Sequence, residues 1–213
     1  MKGMFVCFAA LAFAATACDS MKGTNDGDEL ATSEAALHGH GTQYAAVYDF
    51  ALERQRFSYA SLNRNQSHAG IAVSTGGLAP GDAYTLWFCG WNNPDACSMG
   101  SPPEGDLCAA GDFEFMGGEP AADDFCVWSG AGAIASGSGR AHFRSVSVPG
   151  ANEGENLFGT DYTAIDGAEV HYVIRHHGEA LSGTDLRDQL TLFNGACPSA
   201  GCVDVLFAVF PAR

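Results

Sequence analysis

The sequence predicts an all-β protein: an antiparallel β-sandwich with long disulfide-bonded loops and at most one short helix. Three observations predict it. Apolar and polar residues alternate with period two over many short segments, the period that sends successive side chains to opposite faces of a sheet. Turn clusters such as Gly76-Gly77-Leu78-Ala79-Pro80-Gly81-Asp82 and Ser136-Gly137-Ser138-Gly139 separate those segments. Six cysteines stand in the body of the chain, an even set that reads as three disulfides in an exported protein.

The elements follow in order. Tyr48, Phe50 and Leu52 alternate with Asp49, Ala51 and Glu53, and Phe57 and Tyr59 continue the pattern. Asn63 to Ser67 is turn chemistry, and Ile71 and Val73 begin a second strand. Tyr84-Thr85-Leu86-Trp87-Phe88 is apolar on both faces, which suits a central strand covered on both sides. Residues 98–124 form a long acidic loop. Phe125 to Ile134 and Ala141 to Val148 read as strands. Val170, Tyr172 and Ile174 alternate with Glu169, His171 and Arg175. Leu186, Leu190 and Phe193 fall at i, i+4 and i+7, which predicts one short helix over 183–193. Val203 to Phe210 closes the chain as a strand. No repeat of 20 to 50 residues occurs, so 44–213 is one β-sandwich domain, large enough for a sizeable core.

The first 17 residues have a different character. Lys2 is followed by an apolar stretch from Met4 to Ala15, then Ala15-Thr16-Ala17-Cys18. The stretch is too short to span a bilayer, which needs roughly 20 residues. It has the layout of a bacterial lipoprotein signal at 1–17, whose cleavage leaves Cys18 as the lipid acceptor. Cleavage by the general signal peptidase near Ala17 is the competing reading. Residues 18–43 are rich in Asp, Glu, Gly, Ser and Thr and read as a lipidated, flexible acidic tether. The expected location is the bacterial cell envelope, periplasmic or outer surface, with the membrane touched through the lipid alone.

Composition narrows the partners. The formal net charge is −15, with 25 acidic residues against 10 Lys and Arg. Such a chain lacks the clustered cations that nucleic acid needs, and anionic lipid repels it. A protein or small-molecule ligand is expected, of identity the sequence does not carry.

The cysteines sort by position. Cys7 leaves with the signal and Cys18 takes the lipid. Cys197 and Cys202 flank Pro-Ser-Ala-Gly and close a local loop; Cys97 and Cys108 bracket a Pro, Gly and acid-rich loop. Cys89 and Cys126 remain, each in an apolar strand, to join two strands. A zinc site is the rival reading, and no C-x-x-C pair supports it.

The best candidate constellation is Glu169-Val170-His171-Tyr172-Val173-Ile174-Arg175-His176-His177. Period two places Glu169, His171, Arg175 and His177 on one face. That row can bind a ligand anion through Arg175, hold a metal through His171 and His177, or do acid–base work with a histidine near neutral pKa. It equally fits a solvent-facing polar stripe, or a histidine tying strand to loop. Imidazoles two residues apart on a strand are about 7 Å apart, too far for one metal unless a turn folds them together. No cofactor is required. Zn and Cu (also at His38-Gly39-His40) and Ca (at the acidic loop around 104–124) are the candidate ions, and the loop lacks EF-hand spacing. Gly130-Ala131-Gly132-Ala133-Ile134-Ala135 formally matches a dinucleotide fingerprint but has no βαβ unit around it. No G-x-S-x-G, H-E-x-x-H or P-loop occurs. A non-catalytic binding or structural module is the expectation, and a metal-dependent protein the alternative.

The segments Leu78-Ala79-Pro80-Gly81-Asp82-Ala83-Tyr84-Thr85-Leu86-Trp87, Asn92-Asn93-Pro94-Asp95-Ala96-Cys97, Ala168-Glu169-Val170-His171, Arg175, His177-Gly178 and Gln189 to Cys202 together resemble an uncharacterised family of secreted bacterial proteins. That family has an apolar residue at the position of Cys89 and no cysteine at that of Cys126; their joint departure supports a Cys89–Cys126 bridge. The Gly-rich hairpin followed by a histidine strand is also faintly similar to the chordin-type repeat domain, an all-β extracellular module. Neither resemblance implies an activity.

Overall fold

The computed structural model describes residues 41–65, 67–98, 108–148, 156–164 and 166–213. The signal, Cys18 and nearly all of the proposed tether lie outside the described residues.

Among the described residues, ten strands form two sheets. The first sheet contains β1 (Thr42–Ala45), β3 (Tyr59–Arg64), β4 (Ala69–Thr75) and β7 (Ala141–Ser147), in the order β1-β3-β4-β7. The second contains β2 (Tyr48–Asp49), β5 (Asp82–Trp91), β6 (Asp124–Ile134), β8 (Asn156–Gly159), β9 (Glu169–Glu179) and β10 (Val203–Phe210), in the order β2-β10-β9-β5-β6-β8. Every ladder is antiparallel. The fold is an all-β sandwich with one helix, α1 (Gly183–Thr191).

The core lies between the sheets. Leu62, Ile71, Val73 and Phe143 of the first meet Tyr84, Leu86, Phe88, Phe125, Val127, Val170, Tyr172 and Ile174 of the second. Each large side chain removed from water there contributes about 2 kcal/mol. Arg64 closes one end of the sandwich. Its buried guanidinium donates to the carbonyls of Ala168, Phe210 and Pro211, and burial lowers its pKa.

Strand β5 sits between β9 and β6, and every residue from Ala83 to Trp91 is buried. Its odd positions reach a second, smaller core on the far side of the six-stranded sheet. There Trp87, Cys89, Cys126 and Phe193 pack together, and Trp91, Cys108 and Ala122 form an adjoining cluster. Helix α1 contributes to this outer layer, packing over β5 and β6. Gly132 is its seat, since a Cβ there would collide with the Leu190 carbonyl.

Local departures from the expected elements have identifiable causes. Strand β1 starts at Thr42, two residues before the expected domain boundary. The expected strand over Tyr48–Leu52 ends at Asp49, because the Asp49 carboxylate accepts the N–H groups of Ala51 and Glu53 and stabilises a turn. Leu52 completes that turn at φ 64°. The loop at 98–124 carries single 3-10 turns at Ala110–Asp112, Glu114–Met116 and Pro120–Ala122. The helix stops at Thr191, so Phe193 lies beyond it and sets its ring edge against Trp87. Strand β8, a four-residue edge, had no alternating pattern long enough to announce it.

Candidate functional site

Strand β9 divides its side chains by parity. Val170, Tyr172 and Ile174 enter the main core. Glu169, His171, Arg175 and His177 face the outer layer: Glu169 and His177 are fully buried, Arg175 nearly so and His171 half-buried. Glu169, Arg175 and His177 are each bonded to a different segment of that layer, and His171 is bonded to Glu169.

At one end, Glu169 Oε1 accepts the Cys108 N–H at 3.1 Å and the His171 Nε2–H at 3.0 Å. The Trp91 ring lies edge-on to His171, 5.0 Å between centroids. In the middle, Arg175 Nε donates to the Phe193 carbonyl at 2.8 Å, and its other nitrogens reach Asp204 (2.6 Å), Asn194 Oδ1 (3.1 Å) and the Cys202 carbonyl (3.2 Å). Its guanidinium carbon sits 3.7 Å from the centre of the Phe193 ring, a cation–π arrangement.

At the far end, His177 Nε2 is 2.8 Å from Thr85 Oγ1, which itself accepts the Trp87 Nε1–H at 2.9 Å. His177 Nδ1 is 3.2 Å from the Gly195 carbonyl and 3.2 Å from Cys202 Sγ. The carbonyl requires a proton on Nδ1, leaving Nε2 to accept the Thr85 hydroxyl. Burial is the main cause that pushes the His177 pKa down to about 4, with the neighbouring Arg175 and His176 adding to it. The imidazole is therefore neutral across the physiological range.

The predicted row is thus three separate anchor points between strand and loops, and its four residues do not converge on one ligand position. Gln189, which the sequence does not single out, belongs to the same system. It is buried in α1, donates to the carbonyls of His177 and Glu179, and accepts the Leu181 N–H. It is one of three consecutive polar residues, Arg187, Asp188 and Gln189, between Leu186 and Leu190, so nothing in the sequence set it apart.

The cysteines pair Cys89–Cys126, Cys97–Cys108 and Cys197–Cys202. The first joins directly opposed residues of β5 and β6. Cys89, Cys108 and Cys126 are buried, whereas Cys197 and Cys202 are half-buried beside His177. Among the described residues, His177, Cys197 and Cys202 are one group whose potential metal-ligand atoms all lie within 4.8 Å of one another, and His171 is outside it. In the acidic loop, Asp112 accepts the N–H groups of Ser98 and Ala109, and Asp124 accepts that of Glu114. Those carboxylates hold the loop's backbone; Glu104 and Asp106 lie outside the described residues.

A second surface has the opposite character. The outer face of the four-stranded sheet carries exposed His142, Arg144 and Val146 on β7. Where β4 ends and β7 begins, a cavity of about 230 Å³ opens between Arg56, Phe57, Ser74, Arg140 and His142. Ser74 and His142 oppose each other across the ladder and hydrogen-bond at 2.9 Å. Phe57 is 90 % exposed, at φ 59°. An adjoining hollow runs along Arg54–Ser58. Among the described residues, Arg54, Arg56, Arg140 and Arg144 take part in no ion pair. The sequence held a signal for this patch: Arg54 and Arg56, then Arg140, His142 and Arg144, are basic side chains at period two in a strongly acidic chain.

No known protein family, curated protein or solved structure matches this chain. No helix among the described residues is long and apolar enough to cross a membrane.

Proposed function

We propose that this chain is a bacterial envelope lipoprotein whose β-sandwich is a non-catalytic binding module for an acidic saccharide. Residues 1–17 act as the signal, Cys18 carries the lipid, and the acidic segment up to about residue 43 spaces the domain from the membrane. The single observation that carries the binding reading is the groove of Arg56, Phe57, Arg140 and His142: two arginines that form no ion pair among the described residues, set around an exposed ring in a chain of net charge −15. Guanidinium groups recognise carboxylates through paired N–H donors, and an aromatic face packs against a sugar ring's C–H surface. The rest of the surface repels the same anions, which confines them to the groove. Three disulfides in the folded domain support an oxidising compartment.

Calorimetric titration with a galacturonic-acid trisaccharide and with its neutral galactose counterpart tests the ligand. We expect salt-dependent binding of the acid alone, weakened at least about tenfold by Arg56→Ser with Arg140→Ser, which removes two charge-assisted contacts. Equal binding of both sugars, or an unaffected double variant, overturns the groove assignment. Mass measurement of the mature N-terminus tests the anchor: a diacylglyceryl group on Cys18 is expected, and an unmodified N-terminus before or after Cys18 refutes it.

A further inference from the structure

We infer that His177, Cys197 and Cys202 form a redox-gated zinc site: closed while Cys197–Cys202 is a disulfide, and able to bind Zn²⁺ through two thiolates and one imidazole once a protein dithiol reduces it. The three potential ligand atoms already lie within 4.8 Å of one another. Two thiolates on one tetrahedral zinc sit about 3.8 Å apart, from Zn–S bonds of about 2.3 Å. The Cα atoms, 5.1 Å apart, are compatible with that spread. The connecting Pro198-Ser199-Ala200-Gly201 is a turn whose four residues are all exposed and lie outside both sheets, so it can open without breaking a strand pairing.

The imidazole is held for either state. With the disulfide closed, Nδ1–H faces the Gly195 carbonyl and Nε2 accepts from Thr85. Metal at Nδ1 requires the proton on Nε2, and Thr85 Oγ1 can accept it, because a hydroxyl oxygen has two lone pairs and Trp87 uses one. A ligating histidine that donates its second N–H to a fixed acceptor is the usual outer-shell arrangement of zinc sites. Thr85 is therefore a positioning residue. The half-exposed sulfurs leave the fourth position to water.

The reductive step is directional. His177 Nδ1 lies 3.2 Å from Cys202 Sγ, so Cys202 is the better-stabilised leaving thiolate and Cys197 Sγ the sulfur attacked. A thiolate of the reductant bonds to Cys197 Sγ as the S–S bond breaks. The reductant's second thiol then displaces Cys197, leaving the reductant as a disulfide. Two electrons pass to the bridge, and the dithiol's two protons end on the new thiols or, with zinc bound, in solvent.

The test is phosphine reduction of the folded protein without oxygen, alkylation mass mapping, and equilibrium dialysis against Zn²⁺ with elemental analysis. Alkylation is expected first at Cys197 and Cys202. About one zinc per reduced chain is expected, none on the oxidised chain, and none on reduced Cys197→Ser with Cys202→Ser. Cobalt in place of zinc should give a sulfur-to-metal charge-transfer band that disappears in that variant. Thr85→Val should weaken zinc about tenfold or more while the turn still reduces normally. His177→Gln is the direct ligand test, and the serine pair keeps the site testable if that variant misfolds. Labelling elsewhere before Cys197 and Cys202, a reduced chain without zinc, or zinc retained by the serine pair overturns the site.

Discussion

The two outer faces of this sandwich carry similar polar residues and use them oppositely. On the six-stranded sheet, Glu169, His171, Arg175 and His177 lie beneath a second layer of helix and disulfide-bonded loops; Glu169, Arg175 and His177 are hydrogen-bonded to that layer, and His171 is held by Glu169. Beside the four-stranded sheet, Arg140, His142 and Arg144 are exposed, and among the described residues no layer covers them and the arginines form no ion pair. The difference teaches where to look for ligand binding. A buried charge must have its partners inside the protein, so it is committed to the fold. An exposed, unpaired cation is free to meet an anion from outside.

Substitutions that strip the covered face should cost stability, and those on the bare face should not. The largest effect is expected from Cys89→Ala with Cys126→Ala. Loop-closure entropy predicts a loss of about 4 kcal/mol for a bridge spanning 37 residues, against about 3 for Cys97–Cys108 and about 2 for Cys197–Cys202. Denaturant midpoints should fall in that order, and an inverted order would show that native packing outweighs chain entropy here. Arg175→Ala comes next. It strands the Phe193 and Cys202 carbonyls and removes the cation packed on the Phe193 ring, at about 3 kcal/mol. An effect below 1 kcal/mol by urea unfolding would mean that the outer layer is not held through β9.

The pH profile tests the same face more gently. His177 stays neutral in the folded chain until about pH 4, while the unfolded chain takes up that proton near 6.5. The unfolded state therefore binds more protons between those limits. Stability from this group is complete above pH 6.5 and declines as pH falls towards 4, with a slope approaching one proton per molecule. His177→Gln should flatten that window, and an unchanged slope would contradict the buried neutral imidazole. The smallest effect belongs to the bare face. Arg56→Ser with Arg140→Ser should alter unfolding by no more than about 0.5 kcal/mol, since both side chains are exposed and form no ion pair among the described residues. A large loss of stability would move the groove into the same category as the β9 row.

Much of the architecture is legible from single residues. The alternation of Val170, Tyr172 and Ile174 places β9, and the doubly apolar Tyr84–Phe88 places β5 at the centre of its sheet. The Pro-Ser-Ala-Gly spacing anticipates Cys197–Cys202. The Tyr48–Leu52 segment misleads because period two cannot register that one carboxylate, Asp49, offers the backbone a better partner than the ladder. The candidate site is legible only in part. Parity groups Glu169, His171, Arg175 and His177 on one face, yet it cannot separate three anchor points from one ligand site. Nor can it bring Cys197 and Cys202 to His177, which lies 25 residues before Cys202 in the chain.

The fold class, the Cys97–Cys108 and Cys197–Cys202 pairs and the parity of strands such as β9 are written in the sequence, because they follow from local periods and short spacings; Cys89–Cys126, 37 residues apart, follows only by elimination. Only the tertiary structure decided which polar face is roofed and which is bare. That choice depends on where the long loops and α1 fold back, driven by burial of Trp87, Trp91, Phe113 and Phe193, whose partners are far apart in the chain. The hydrophobic effect that covers one face has no direction along the sequence. The same alternating pattern of charged residues therefore becomes an internal fastening on one sheet and an open cationic groove on the other.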